Sequence, residues 1–316
     1  MKSHLTETLR CPQCGSSLSC TPYKSICTNE IIDGLLRCPC GEIYIIYRGV
    51  PQLLSDVAPP QDFIESYNHS IRQDAPLLLT GQKNNSPNQF SFSYQWSLHS
   101  YDALTWELFL SERVEIFFRY FGIPREMAPG MKLLDACCGN GTLSAALAQQ
   151  GLEVFAMDYS TSVYRAFENH LLASSVTVET LRRLHYIQGD VLHPPFQDGY
   201  FDLIYSDGVL HHTSNTKMSF MSLARKVKPG GQLFVWLYRS DNKSVARIKL
   251  AVVKIGRKVL HNLSHKQKLG ICYVGAAILI ARLRLLSIFG YKPRRITHHM
   301  RRLEDEATLA PLLSLQ

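Results

Sequence analysis

Residues 131–160 read MKLLDACCGNGTLSAALAQQGLEVFAMDYS, which predicts an apolar strand, a glycine turn, a helix of small residues and a second strand that ends in an acid. Gly139 and Gly141 allow the backbone to turn sharply and to approach a ligand closely. The helix predicted from Thr142 points its N-terminal amides into the same space. Asp158 ends the second strand, where its carboxylate can accept hydrogen bonds from both hydroxyls of a ribose. The stretch therefore predicts an α/β fold with a nucleoside ligand.

The turn lacks the third glycine of the dinucleotide-binding fingerprint G-x-G-x-x-G. Ser144 follows Leu143 at the position where that fingerprint packs its helix closely against a pyrophosphate. A nucleoside ligand without a diphosphate therefore fits this turn better than a dinucleotide.

Three further motifs follow in order: YIQGDV at 186–191, DLIYSDGVLHH at 202–212, and KPGG at 228–231 before an apolar strand. Together with the glycine turn they resemble the class I S-adenosylmethionine-dependent methyltransferases of the type 11-like group. The resemblance implies a Rossmann-like, doubly wound parallel sheet and S-adenosylmethionine as cofactor.

The resemblance also implies which residues bind the cofactor. Alternating strands and helices place the glycine turn and three acids at the carboxyl ends of strands, where ligands bind in open α/β sheets. The predicted cofactor-binding residues are Asp135, Cys138, Gly139, Asn140, Gly141, Asp158, Tyr159, Asp190, Val191 and Asp207.

His211 and His212 follow the fourth predicted strand, next to the position that the resemblance implies for the transferred methyl group. Methyl transfer needs a base only where the acceptor must lose a proton, and either imidazole can be that base. A structural, hydrogen-bonded histidine fits this position as well.

Six of the nine cysteines lie at or before Cys40. Cys11-Pro-Gln-Cys14-Gly and Cys38-Pro-Cys40-Gly each place a glycine where a knuckle must turn to direct thiolates at one ion. Residues 1–55 resemble the Trm112-like zinc ribbon, which implies a structural zinc on these four thiols.

The second knuckle departs from that family, since it is C-x-C where the family has C-x-x-C. The tighter spacing strains a tetrahedral site, so Cys20 or Cys27 can replace one ligand, or the ribbon can keep its fold without zinc.

Composition changes divide the rest of the chain into three predicted segments. Residues 56–89 are polar and proline-punctuated, which is typical of a linker. Residues 90–240 form the predicted methyltransferase domain, with FSFSYQW at 90–96 and a helix from about 102 to 121 ahead of the first strand. Those aromatic residues fit either a lid over the cofactor or an ordinary core. Residues 241–316 form a basic, partly apolar helical extension.

The extension concentrates the positive charge of the chain. Residues 239–302 contain sixteen Lys or Arg and one acid, whereas the whole chain has a formal net charge of +8. Residues 269–281 are an apolar run that is too short to span a bilayer. Such a segment can contact an anionic membrane surface, cap a lipophilic acceptor pocket, or be a solvated basic face.

Residues 291–316 show no convincing pair of strands, so the two strands that usually complete the seven-stranded sheet of this family are not predicted. The N-terminus has no apolar run after its charges, which predicts no signal peptide and a cytoplasmic location, with contact at the inner membrane face through 241–302. Cysteines in such a compartment are thiols or metal ligands.

Three functions remain open at this point. The favoured one is methyl transfer to a small, lipophilic or natural-product acceptor. The second is methylation of ribosomal RNA or tRNA, with the basic extension contacting phosphates, although no RNA-binding module is recognisable. The third is a non-catalytic binding protein, which the intact cofactor motifs disfavour.

Overall fold

The computed structural model describes residues 1–26, 29–55, 57–80, 93, 104–105, 108–172, 176–237, 260 and 263–288, and the statements below concern these residues. Their strands are β1 Ser19–Ser25, β2 Ile31–Arg37, β3 Ile43–Tyr47, β4 Val50–Leu53, β5 Leu104–Thr105, β6 Leu108–Phe109, β7 Lys132–Ala136, β8 Glu153–Asp158, β9 Leu184–Gly189, β10 Phe201–Asp207 and β11 Val227–Trp236. Their helices are α1 Leu5–Thr8, α2 Gln61–Asp74, α3 Leu77–Thr80, α4 Leu110–Phe121, α5 Thr142–Gln149, α6 Ser162–Leu172, α7 Val178–Arg182, α8 Thr216–Lys226 and α9 His265–Ile288.

Nine strands form one sheet in the order β1-β2-β3-β4-β9-β8-β7-β10-β11. The five strands from β9 to β11 are parallel, whereas β1 to β4 form an antiparallel meander. Most residues of the central strands β7, β8 and β9 are buried, as expected for a parallel sheet with both faces covered. The predicted α/β fold class is confirmed.

The meander joins the parallel strands through β4, which pairs in parallel with β9 at Gln52–Gln188 and Leu53–Gly189. Leu5 and Leu9, close to the N-terminus, share a buried cluster with Phe155. The N-terminal segment 1–55 therefore extends the same sheet and core as the central strands. The boundary after residue 55 stays a prediction.

Within the predicted linker 56–89, the structure has the two helices α2 and α3. Phe63, Tyr67 and Ile71 recur every four residues of α2, so they lie on one face of the helix. That face packs on Leu35 and Ile45 of the meander. The polar composition hid this narrow apolar stripe, and residues 81–89 lie outside the described part.

The helix predicted from about residue 102 begins at Leu110. Its start is fixed by the backbone N–H of Phe109, which donates to Glu112 Oε2 over 2.8 Å, while β5 and β6 pair just before it. Val114, Phe117 and Phe121 bury one face of the helix. The aromatic segment 90–96 lies outside the described residues except for Ser93.

The C-terminal helix α9 belongs to a second compact unit. It runs for 24 residues, and Ile271, Val274 and Ile278 on it are 48%, 61% and 65% exposed. Among the described helices, none is both long and apolar enough to cross a bilayer. The predictions for 241–259 and 291–316 fall on residues outside the described part.

Candidate functional site

The glycine turn connects β7 to α5. Gly139 and Gly141 have φ values of +57° and +69°, in the left-handed region. At Gly141 a Cβ would lie 2.7 Å from the Tyr186 ring, so a side chain there would collide with a buried aromatic residue. Glycine is therefore required at position 141 both because no side chain fits there and because the backbone is left-handed.

Cys137 shares the left-handed conformation of these glycines, with φ of +77°. Its backbone N–H and that of Cys138 both donate to Met157 O, over 2.7 and 3.0 Å. The two bonds fasten the turn to the end of β8, which holds Cys137 in a conformation that costs an L-residue free energy. Burial raises the pKa of both thiols.

Asp158 anchors the loop that follows β8. Its Oδ2 accepts from Gly139 N over 2.9 Å, and its Oδ1 accepts from the backbone and hydroxyl of Ser160 over 2.8 and 2.7 Å. Ser162 Oγ in turn donates to Gly139 O over 2.8 Å. Burial raises the pKa of Asp158.

Asp135 lies at the end of β7 and is 5% exposed. It accepts a hydrogen bond from Ser144 Oγ over 2.6 Å. Burial raises the pKa of Asp135 to about 6, and the carboxylates of Asp158 and Asp207 add to this rise. A positive ligand charge beside it would favour its ionised form.

Arg113 faces this group of acids from α4. Burial lowers its pKa, and the nearby charges of Asp135 and Asp207 oppose that effect. Its guanidinium makes no hydrogen bond or ion pair of 4 Å or less with any residue that the structure describes. The sequence reasoning missed Arg113 because it precedes the glycine turn and lies outside every motif.

Asp190 and Val191 follow β9. Asp190 Oδ1 accepts from Leu192 N over 2.9 Å, which closes a tight turn, and Val191 is buried. Gln188, two positions earlier, is 1% exposed and was also missed. A single glutamine in an apolar strand gave no signal of a polar role.

Asp207 ends β10 and is exposed, and it accepts a hydrogen bond from Tyr205 Oη over 2.8 Å. Gly208 follows with φ of +75°, against the ring of Trp236. His211 and His212 lie in the next short 3-10 turn, with ring centroids 4.2 Å apart. Burial lowers the pKa of His211, which favours its neutral form.

The parallel sheet thus places the predicted acids along one border. We call this border the carboxyl edge, defined by Asp135, Asp158, Asp190 and Asp207 at the ends of four adjacent strands. Two other predicted residues lie in its turns: Asn140 Oδ1 accepts from Thr142 N over 3.3 Å, and Tyr159 O accepts from Gln188 Nε2 over 3.1 Å. Their roles in binding stay predictions.

A second candidate site lies in the N-terminal segment 1–55. The Sγ atoms of Cys11, Cys14, Cys38 and Cys40 all lie within 4.8 Å of one another. The Cys14–Cys38 and Cys11–Cys40 pairs are 3.3 and 3.8 Å apart. Tetrahedral zinc with Zn–S bonds of about 2.3 Å places its sulfurs about 3.8 Å apart. The four thiols therefore fit zinc, whose contribution here would be structural.

The knuckle turns explain how a C-x-C pair reaches this geometry. Gly15 and Gly41 follow the two knuckles with φ of +76° and +99°. Their N–H groups donate to Cys11 O and Cys38 O, over 2.8 and 3.0 Å. Cys20 lies in β1 outside the cluster, and Cys27 lies outside the described residues.

Comparison with known families decides what the carboxyl edge belongs to. Residues 134–235, from β7 to β11, match the family described as "Methyltransferase domain". This segment is therefore similar to methyltransferase domains, and we use that name for it below. The resemblance predicted from the four motifs is confirmed, and the match covers the whole set of strands that carry the carboxyl edge.

Named relatives are similar to part of this chain. A ubiquinone biosynthesis O-methyltransferase of Xanthomonas campestris is 33% identical over 129 residues, which are 41% of this chain and 51% of the relative. One of the same name from Pectobacterium atrosepticum is 29% identical over 125 residues, 39% of this chain and 48% of the relative. The matched segment therefore spans about half of the length of these relatives.

Solved structures also align with part of this chain. The YcgJ protein of Bacillus subtilis aligns with a TM-score of 0.38 and 17% identity, over 46% of this chain and 58% of that chain.

Proposed function

We propose that the protein transfers the methyl group of S-adenosylmethionine to a small, lipophilic acceptor. The observation that carries the proposal is the match of residues 134–235 to the methyltransferase domain family, over the strands that end in the carboxyl edge. Methyl transfer of this kind is carried out by positioning two reactants, and the carboxyl edge is the part of the domain built to hold one of them.

The charges of the carboxyl edge suit this cofactor. The charge of Asp135 interacts with those of Arg113, Asp158 and Asp207. S-adenosylmethionine carries a sulfonium, an ammonium and a carboxylate. We assign Asp158 to the ribose hydroxyls, Asp190 to the adenine side, and Arg113 to the carboxylate of the methionine half. The glycine turn allows the cofactor to lie close to the backbone.

The reaction is an in-line substitution at the methyl carbon. The acceptor's lone pair forms the new bond to carbon while the carbon–sulfur bond breaks, and sulfur keeps that electron pair as the neutral thioether of S-adenosylhomocysteine. Where the acceptor is a hydroxyl, its proton passes to a base. His211 is suited to accept it, because burial lowers its pKa and favours the neutral imidazole, and His212 is the neighbouring alternative.

Two observations support a lipophilic acceptor. The named relatives are O-methyltransferases of ubiquinone biosynthesis. Beside the two histidines, the 44% exposed Trp236 ring lies against Gly208, so an apolar surface borders the end of β10. An aromatic wall of this kind binds apolar ligands better than it binds phosphates.

We also propose that α9 lies on an anionic membrane surface at the cytoplasmic face. Apolar side chains of α9, among them Ile271, Val274 and Ile278, are exposed, and the helix carries Lys268 and Arg282 near its two ends. Apolar insertion combined with basic charge is the usual basis of such contact. The free thiols suit the same reducing compartment.

The decisive experiment supplies methyl-labelled S-adenosylmethionine together with total RNA, a lipid extract or a water-soluble metabolite extract. We expect label in the lipid extract. Label in RNA, with activity that collapses as salt is added, would instead establish the RNA methyltransferase. No transfer to any extract, together with no binding of S-adenosylmethionine, would exclude an enzyme of this class.

The cofactor assignment is tested with Asp158→Ala. Loss of a hydrogen bond to a charged group should weaken S-adenosylmethionine binding by about 1.5–3 kcal/mol in calorimetry. Asp198→Ala is the matched control, since Asp198 is an exposed carboxylate paired with Lys226 away from the carboxyl edge. Equal affinity of the two variants would contradict the assignment.

Membrane contact is tested by flotation with vesicles that contain anionic phospholipid. Val274→Glu with Ile278→Glu should abolish flotation without changing cofactor affinity, because both side chains are exposed on α9. Neutral vesicles are the control for charge. Full flotation of the double variant would show that α9 does not insert.

A further inference from the structure

The N-terminal meander contacts the methyltransferase domain at the turn between β3 and β4. Arg48 bridges Asp62 and Glu168, with 3.2 Å to each carboxylate. At the next position, a Cβ on Gly49 would lie 2.6 Å from the Phe167 ring, so the turn lies directly on α6. The meander is therefore held against α6 as well as against β9.

A chain of contacts leads from this turn to the carboxyl edge. The Tyr47 ring packs edge-on against Tyr164 of α6, with centroids 5.3 Å apart. Tyr164 Oη donates to Gln188 Oε1 over 2.6 Å, and Gln188 Nε2 donates to Tyr159 O over 3.1 Å. Tyr159 is the residue after Asp158.

The orientation of the Gln188 amide follows from its partners. A backbone carbonyl can only accept, so the nitrogen of the amide must face Tyr159 O. The amide oxygen then faces Tyr164, whose hydroxyl must donate. Because Gln188 is 1% exposed, water is no substitute for either partner.

The carbonyl of Tyr159 belongs to the short loop that directly follows Asp158. In this loop, Ser160 Oγ donates to the Asp158 carboxylate and Ser162 Oγ donates to Gly139 O, so the loop contacts both the carboxylate and the glycine turn. A displacement of Tyr159 would therefore move both the carboxylate and the glycine turn. Gln188 is the side chain that fixes this loop from the side of β9.

We propose that Gln188 is a positioning residue for cofactor binding, and that Tyr164 connects it to the N-terminal meander. The inference rests on the proposed cofactor site, since Gln188 acts on Asp158 and does not itself need to touch the cofactor. It makes the N-terminal segment 1–55 a support for the cofactor site.

The test measures S-adenosylhomocysteine affinity by calorimetry on the full chain. Gln188→Met keeps the length of the side chain and removes both hydrogen bonds, so affinity should fall about tenfold. Gln188→Glu keeps an acceptor for Tyr164 but sets a carboxylate against Tyr159 O, so it should fall at least as far.

Tyr164→Phe is the milder variant, which removes only the donor to Gln188 and should weaken binding about threefold to tenfold. Tyr200→Phe is the matched control. Its hydroxyl forms a hydrogen bond with Thr8 Oγ1 over 3.1 Å just before β10, at the opposite end of that strand from the carboxyl edge, so cofactor affinity should be unchanged.

Two further readouts separate positioning from general damage. In turnover assays, KM for S-adenosylmethionine should rise in Gln188→Met while kcat at saturation stays near the wild-type value. The double variant Gln188→Met with Tyr164→Phe should lose less cofactor affinity than the product of the two single fold-changes. The reason is that both side chains act through one chain of hydrogen bonds.

The outcomes distinguish the two proposals. Wild-type protein that binds no S-adenosylhomocysteine would overturn the proposed function itself. Wild-type binding with unchanged affinity in Gln188→Met would overturn only the positioning role. If Gln188→Met does not fold, Tyr164→Phe decides, and wild-type affinity in that variant overturns the role.

Discussion

The cysteine knuckles and the glycine turn of the cofactor site, which we call the cofactor turn below, both combine cysteine with glycine. The two residue types serve different purposes in the two places. In the knuckles, Gly15 and Gly41 have left-handed φ values, and nothing lies within 4 Å of the place where a Cβ would be. In the cofactor turn, Gly141 has the same backbone conformation and also lies against Tyr186. Glycine provides conformation alone in the first case, and conformation with close approach in the second.

The cysteines differ in the same way. The four thiols of the knuckles converge on one point, as ligands of a single ion must. Cys137 and Cys138 pack against separate hydrophobic clusters of the core, so they do not converge. A cysteine-glycine pattern therefore predicts a metal site only where two turns face each other, and the following experiments test that distinction.

Loss of the metal should have the largest effect. Purified protein should contain one zinc per chain, and Cys14→Ala should lose it, because three thiolates bind structural zinc far more weakly than four. Elemental analysis measures this directly. Cys137→Ala is the control, since it removes a cysteine outside the cluster and should leave the zinc content unchanged.

The N-terminal segment shares a sheet and core with the methyltransferase domain, so loss of zinc should also lower the thermal midpoint of the whole unit. Protein purified without chelator that contains no zinc would contradict the metal assignment.

The next largest effect should be a difference in stability loss between a glycine of the cofactor turn and a glycine of the knuckles. Gly141→Ala adds a collision with Tyr186 to the cost of its φ value, so we expect a loss of about 2–4 kcal/mol in the free energy of unfolding. Gly15→Ala meets no neighbour and should lose only about 1 kcal/mol. Chemical denaturation measures both values, and equal losses would show that close approach is unimportant in the cofactor turn.

The charge of the cofactor turn should be visible in the pH dependence of binding. Asp135 has a pKa of about 6 in the folded chain, so it gains a proton as pH falls through that value. A cationic cofactor favours the ionised carboxylate, and S-adenosylmethionine affinity should fall by up to about fourfold between pH 7.5 and 5.5.

S-adenosylhomocysteine lacks the sulfonium charge and is the matched control, with a shallower pH dependence expected. Since the folded pKa of Asp135 is raised above its unfolded value, the unliganded fold should gain stability from this group as pH falls from 7 towards 5. Equal pH dependence for the two ligands would show that Asp135 does not sense the sulfonium.

The smallest effect should come from the conformation of Cys137. Both Cys137→Gly and Cys137→Ala remove the thiol, but only glycine adopts a φ of +77° without strain. The glycine variant should therefore be more stable than the alanine variant by about 1 kcal/mol in denaturation. An alanine variant of equal or greater stability would show that the turn is not strained.

The sequence predicted the carboxyl edge because each of its acids directly follows an apolar strand. Gly139, Gly141 and Asp158 have short-range signatures, and the parallel sheet brings the strand ends together without further information. The four knuckle cysteines were predicted for the same reason, since their spacing is local.

Residues that act through tertiary contacts were not predicted. Arg113 belongs to helix α4, well before the glycine turn in the sequence, and no local motif connects the two. Gln188 is a lone polar residue in a buried strand. The N-terminal segment was expected to be a separate module, and nothing in the alternation of β4 indicates that it pairs with β9. Only the folded structure shows which strand pairs with each edge of β4.

The pairing of β4 with β9 also sets the order in which the chain can fold. Gln52 and Gln188 are neighbours in the sheet although most of the methyltransferase domain separates them in sequence. Contacts of such long range form late. At synthesis rates of about 5–20 residues per second, β4 waits roughly 7–30 s for its partner to be made. During that interval its edge is unpaired, and a nascent chain is open to pairing with a neighbouring one.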